Sequence, residues 1–183
     1  MNLLEFVKYC IESNSLLLSS HYIGNNRANN SGDALECFIK DGFSNSFIVE
    51  DEAIRLKNYN KYFSYLGNKN NPPDLILKNS DAIEIKKIES NNSSLALNSS
   101  YPKNKLYANS PMLTKACKEC ENWSVKDILY AIGNVNKNTL NTLWLVYGDC
   151  FAADKSIYER IKNKITRTTT EITNIELAET NEQ

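Results

Sequence analysis

"PPDLILKNSDAIEIKK", residues 72–87, decides the fold. It reads as two short apolar strands, "DLIL" and "AIEIKKI", around a turn at Lys78, Asn79, Ser80 and Asp81. Side chains alternate along a strand, so Glu84 and Lys86 share one face while Ile83 and Ile85 share the other. Folding the hairpin brings Asp74 alongside that charged edge. Two converging carboxylates repel each other and are tolerated where a divalent cation lies between them. An adjacent ammonium can orient or deprotonate a water, or neutralise charge on a phosphate. The same residues also suit a solvated hairpin edge with a Glu–Lys pair, and the short pattern alone leaves both readings standing.

Outward from the hairpin, helices and strands alternate. Leu3, Leu4, Phe6, Val7, Cys10 and Ile11 recur at helical spacing over residues 2–13. In "NNSGDALECFIKDGF" the polar residues suit a cap, Ala34, Leu35, Phe38 and Ile39 share a helical face, and Gly42 suits the stop. "EDEAIRLKNYNKYFSYLG" predicts a helix ending at Gly67, and "NKNNPP" a loop. "ESNNSSLALNSSYPKNK" is polar and loop-like. "SPMLTKACKECENW" and "SVKDILYAIGNV" predict helices, the second capped by Ser124, whereas "NTLWLVYGD" predicts a central strand. "ADKSIYERIKNKI" predicts a basic helix, followed by a β-like "TRTTTEIT". The order predicts one α/β domain over residues 1–183, with a mixed sheet flanked by helices.

The bulk properties exclude several classes. A formal net charge of −1 rules out a general polycation, so any nucleic-acid affinity needs locally gathered cations. Glu5, Lys8 and Glu12 interrupt the first apolar segment and argue against a secretory leader. No apolar run is long enough for a bilayer. The five cysteines are odd in number and irregularly spaced, which predicts free thiols in a reducing cytoplasm. The Asn-rich tracts read as compositional bias. Cys117 and Cys120 in "CKEC" have metal-ligand spacing, but four ligands are wanted and no second pair exists, so core packing is the expected role. His21 is the single histidine and reads as a local hydrogen-bonding residue. There is no G-x-S-x-G elbow, and the six glycines form no phosphate loop.

Pro73-Asp74 followed by Glu84-Ile85-Lys86 resembles the PD-(D/E)XK nuclease motif and falls on the strand–turn–strand that the motif requires. Longer segments carry a more specific resemblance. "GDALECFIKD", "PPDLILKNSDAIEIKKI", "LALNSSYPKNKL", "SPMLTKACKECENW" and "LWLVYGDCFAADKSIYERI" together resemble the NgoPII-type restriction endonucleases, from the second helix to about residue 175. The resemblance implies a restriction-endonuclease-like core that cleaves double-stranded DNA at GGCC with Mg²⁺. It implies Asp74 and Glu84 as metal ligands, the Ile85 carbonyl as a further one, and Lys86 beside the attacking water. Glu36 in "GDALE" resembles the upstream acidic residue that many superfamily members add to the metal site. A palindromic target is matched most simply by a two-fold homodimer. Family members continue beyond the position of Gln183, so the chain is expected to lack the family's C-terminal part. The alternatives are a repair or recombination nuclease of the same superfamily, or an inactive DNA-binding remnant.

"SLALNSSYPKNKLY" offers Asn98, Ser99, Ser100, Tyr101, Lys103 and Lys105 just after the catalytic strand. Small hydroxyls and amides suit phosphate oxygens and lysines supply charge, so a DNA-contacting loop is the expected role beside that of a polar surface loop. The basic helix "KSIYERIKNKITR" is either a solvated face or a second phosphate patch.

Overall fold

The computed structural model describes residues 2–12, 17–18, 27–68, 70–90 and 101–176. His21, Asn98, Ser99 and Ser100 lie outside the described residues. Three helices open the fold: α1 (Leu3–Glu12), α2 (Arg27–Ser44) and α3 (Glu52–Tyr62). Four strands follow, β1 (Phe63–Asn68), β2 (Asn71–Leu77), β3 (Ala82–Ile88) and β4 (Lys105–Tyr107), then a short α4 (Lys115–Glu119). Two long strands, β5 (Val125–Asn136) and β6 (Thr139–Tyr147), lead through a 3-10 turn at Gly148–Cys150 into α5 (Lys155–Glu176). The six strands form one mixed sheet in the order β1-β2-β3-β5-β4, with β6 also paired to β5. β1, β2 and β3 form an antiparallel meander, β3 runs parallel to β5, and β4 and β6 are antiparallel to β5.

Alternation along the strands divides the core between the two faces of the sheet. Leu75, Ile83, Leu129 and Ala131 pack with Leu35, Phe38, Ile39 and Phe43 of α2 and with Phe6 of α1. Their neighbours Ile76, Ala82, Ile128 and Tyr130 pack on the other face with Tyr65, Leu106, Leu113 and Cys117. Fully buried Asp41 of α2 accepts a 2.7 Å hydrogen bond from the Tyr59 hydroxyl of α3, with Arg55 Nε at 3.7 Å, which locks those two helices together. Asp51 caps α3 by accepting from the Ile54 N–H. Among the described residues no helix is long and apolar enough to cross a membrane.

Several local expectations are corrected. "SVKDILYAIGNV" is the strand β5, not a helix. Its apolar residues are buried on both faces between β3 and β6, and such a strand loses the period-2 signature. "NTLWLVYGD" is β6, whose partner strand among those described is β5 alone, so it is an edge rather than the centre; Trp144 is 46% exposed. α3 stops at Tyr62, "FSYLGN" is strand, and Asn71–Pro73 begin β2 instead of lying in a loop. The "TRTTT" run is helical: the hydroxyls of Thr168, Thr169 and Thr170 each donate to the carbonyl four residues earlier, at 2.9 Å. α2 also runs through Gly42 to Ser44.

Candidate active site

The site forms where β2 and β3 part. Their ladder pairs Leu75 with Ile83 and Ile76 with Ala82, and no pair follows toward Asn71. In the continued register Pro73 would face Ile85, but proline has no N–H to offer. Asp74 fills the gap: its Oδ2 accepts the Ile85 N–H at 2.6 Å. β1 supports this from behind. A Cβ on Gly67 would lie 2.4 Å from the Pro73 carbonyl oxygen and 2.7 Å from that of Asp74. No side chain fits there, so the β1 backbone presses directly on the segment that carries the carboxylate.

Glu84 and Lys86 emerge from β3 on the face opposite α2, as alternation requires. Lys86 Nζ donates to Glu84 Oε1 at 2.7 Å. Glu84 Oε2 is buried and has no hydrogen-bond partner. Asp74 is also largely buried. Burial, then the charge of Glu84, pushes its carboxyl up to about 7, against the Ile85 N–H and Lys86, which favour the anion. The hairpin therefore holds two desolvated carboxylates, one with a buried oxygen unsatisfied, and the Lys86 ammonium bonded to Glu84. The donors are hard oxygens, which fit Mg²⁺ rather than a thiolate-seeking metal.

Glu36 comes from α2, which covers the opposite face. Lys40 holds its Oε1 at 2.5 Å, and Asp74 feels its charge only as a lesser influence behind Glu84 and the Ile85 hydrogen bond. Among the described residues, no three acidic, histidine or cysteine side chains form a group able to hold a metal ion. The described geometry thus brings together Asp74, Glu84 and Lys86, with Ile85 between them, and leaves Glu36 engaged by Lys40.

A cleft opens from these residues. Pro72, Glu84, Lys86, Tyr101, Lys103 and Tyr130 line it. Tyr130 is level with Glu84 in the β3–β5 ladder, and its hydroxyl accepts the Lys103 N–H at 2.8 Å. Tyr101 stacks on Tyr158 of α5 at 4.4 Å and 11°, and Lys103 Nζ stands 5.6 Å from the Tyr101 ring centre. Lys105 is engaged elsewhere, by Asp127 and by Asp149, the latter at 2.6 Å. Reading the sequence missed Tyr130 and Gly67. Tyr130 was hidden because β5 read as a helix. Gly67 read as a helix stop, although a glycine just after the strand formers Phe63 and Tyr65 is itself a signal of close backbone approach.

"CKEC" is packing. Cys117 is buried, burial pushes its thiol up to about 11, and Cys120 Sγ donates to the Cys117 carbonyl at 3.1 Å. All five cysteines are free.

A mixed sheet flanked by helices, with an acid on one strand and Glu-x-Lys on the next, defines a restriction-endonuclease-like fold. The family-wide sequence model of the NgoPII restriction endonuclease matches residues 1–183, and the chain belongs to that family. It is 49% identical over 183 residues to the type II restriction enzyme NgoPII of Neisseria gonorrhoeae, covering all of this chain and 66% of that protein. No solved structure matches.

Proposed function

We propose that the chain is the nuclease domain of a type II restriction endonuclease, acting in the cytoplasm as a homodimer to hydrolyse double-stranded DNA at GGCC with Mg²⁺. One observation carries the reading: Asp74, Glu84 and Lys86 converge at the end of a hairpin, with Glu84 Oε2 buried and unpartnered. A stability-driven hairpin edge would leave its carboxylates in water or fully paired. Family membership, and a relative named a type II restriction enzyme, support DNA as the substrate.

Asp74 and Glu84 would hold the cation, with the Ile85 carbonyl as a further ligand. Bound Mg²⁺ would supply charge neutralisation and Lewis acidity at the phosphate. The Ile85 N–H fixes the orientation of the Asp74 carboxylate. Lys86 orients the attacking water and meets charge developing on the phosphate. In-line attack forms the new P–O bond as the P–O3′ bond breaks, leaving a 3′ hydroxyl and a 5′ phosphate. Tyr101 and Lys103 border the path of the strand, and Lys105 secures the segment that carries those two; Asn98, Ser99 and Ser100, just before them in sequence, are further DNA-contact candidates. Glu36, paired with Lys40, adjusts the local field, and removing it should cost less than removing either ligand.

The deciding experiment incubates the 183-residue chain with Mg²⁺ and matched plasmids with and without GGCC. Discrete fragments from the GGCC plasmid alone support the reading. A smear from both identifies a non-specific nuclease, and binding without cutting identifies a DNA-binding remnant.

A further inference from the structure

We propose that Lys103 is a second substrate-contacting cation of this cleft, its ammonium meeting, together with that of Lys86, the phosphate that is cut. The inference rests on the nuclease reading and adds a catalytic residue that no nuclease motif specifies.

The placement is built from both sides. Tyr130 is in register with Glu84, so its hydroxyl hydrogen bond sets the Lys103 backbone at a fixed offset from that carboxylate. From the other direction Gly148 presses in. A Cβ there would fall 2.1 Å from the Lys103 carbonyl oxygen and 2.9 Å from that of Asn104. Pro102 restricts the backbone just before the lysine. A surface lysine serving only solubility has no need of such a clamp. The side chain then points along a wall made by Tyr101, itself stacked on Tyr158. Burial disfavours the charge of Lys103, and the charges of Glu84 and Lys86 are among those that act on it. Two ammonium groups in one partly desolvated cleft repel each other. An anion entering between them relieves that repulsion, and a phosphodiester is such an anion.

Lys105 provides the contrast within the same segment. Its ammonium is committed to Asp127 and Asp149; it lines one cleft with those two aspartates and another with Tyr101 and Lys103, and Lys86 lines neither. Of the two lysines, Lys103 alone lines the cleft that Glu84 and Lys86 share.

The test joins amine footprinting with cleavage kinetics on the whole 183-residue chain. In EDTA and low salt, an amine-reactive label is applied with and without a GGCC duplex, and each lysine is quantified by mass spectrometry. Lys86 and Lys103 should be protected by the duplex, while Lys115 on α4 should not. Single-turnover cleavage with Mg²⁺ should fall about 100-fold in Lys103→Met, as for loss of one preorganised charge donor. The salt slope of duplex binding should shrink by about 0.9, the value for one phosphate contact. Unaltered thermal unfolding of the variant would separate this from a folding defect. Tyr130→Phe should reduce cleavage less, because it loosens Lys103 without removing the charge. Parental cleavage by Lys103→Met, while Lys86→Ala fails to cut, overturns the second cation and leaves the nuclease reading intact. If the parent binds duplex without cutting, protection at Lys103 still supports the contact, and full reactivity there overturns it. Neither cutting nor protection in the parent overturns both.

Discussion

Asp74, Glu84 and Lys86 carry the same charges as Asp127, Asp149 and Lys105, a short distance along the same sheet. The second trio is half exposed and fully paired: Lys105 bridges both aspartates, and those hydrogen bonds raise its pKa. The first trio is desolvated and incompletely paired. Lys86 reaches Glu84, a backbone N–H serves Asp74, and Glu84 Oε2 has nothing. Water and a complete set of partners make one trio a structural clasp. Their absence is the ground for proposing the other as the place where a cation and a substrate bind. Composition does not separate the two; burial and unsatisfied oxygens do.

The sharpest way to break this comparison is to delete one carboxylate from each trio. Asp74→Ala or Glu84→Ala should abolish Mg²⁺-dependent cleavage, a loss on the order of 1,000-fold or more, since the charge that holds the cation is gone. Asp149→Ala should stay within about threefold of the parent, because an exposed ion pair contributes little. Single-turnover assays on a GGCC plasmid measure both. Equal losses would show that the distinction by burial is mistaken.

Next come the lysines. Lys86→Ala should slow cleavage roughly 100-fold while calorimetric Mg²⁺ affinity stays near the parent value. Lys86→Arg should rescue poorly, because a planar fork does not replace a compact ammonium. Normal cutting by Lys86→Ala would return this residue to the solvated-edge reading.

Stability sharpens the contrast with the opposite sign. The Asp74 carboxyl, held at about 7 against an ordinary value of 3.8, binds more protons in the folded than in the unfolded state between those values. Stability of the cation-free protein should therefore fall as pH rises through that window. Asp74→Asn retains the acceptor for the Ile85 N–H and removes the buried charge. It should match the parent near pH 4 and exceed it at pH 8 by roughly 2–4 kcal/mol, in urea unfolding with EDTA. Adding Mg²⁺ should stabilise the parent and not the variant. A variant less stable than the parent at pH 8 would mean that the carboxylate is well accommodated.

The smallest effect belongs to the clasp. Lys105→Met should lower the melting temperature by about 3 °C or less, with near-parental cleavage, as expected for a half-exposed pair. A fall in cleavage comparable to that of Lys86→Ala would make Lys105 part of the reaction site.

Some of this is legible in the sequence. Helical periodicity located α1 and the described core face of α2, because one apolar stripe with polar flanks has few other solutions. The hairpin was legible for the analogous reason: Ile83 and Ile85 alternate with Glu84 and Lys86 around an Asn-Ser turn. β5 was not, because a strand covered on both faces shows an unbroken apolar run that counts equally well as helix. The end of α5 misled through its threonines, whose β propensity is outweighed once their hydroxyls return to the preceding turn.

The residue order alone determined the chemistry on offer: an aspartate ahead of one strand, a Glu-x-Lys on the next, and a polar lysine-bearing segment after them. It determined which side chains share a face, since alternation is a local property of the chain. Tertiary structure decided which surroundings each charge meets. Lys103 and Lys105 look alike in sequence, yet Tyr130 and Gly148 fix the backbone of one in the cleft that Glu84 lines, while Asp127 and Asp149 engage the other. Those partners come from β5 and the turn after β6, between 22 and 45 residues downstream. Desolvation and pairing depend on what the rest of the chain packs against a group, so they arise only when the sheet is assembled.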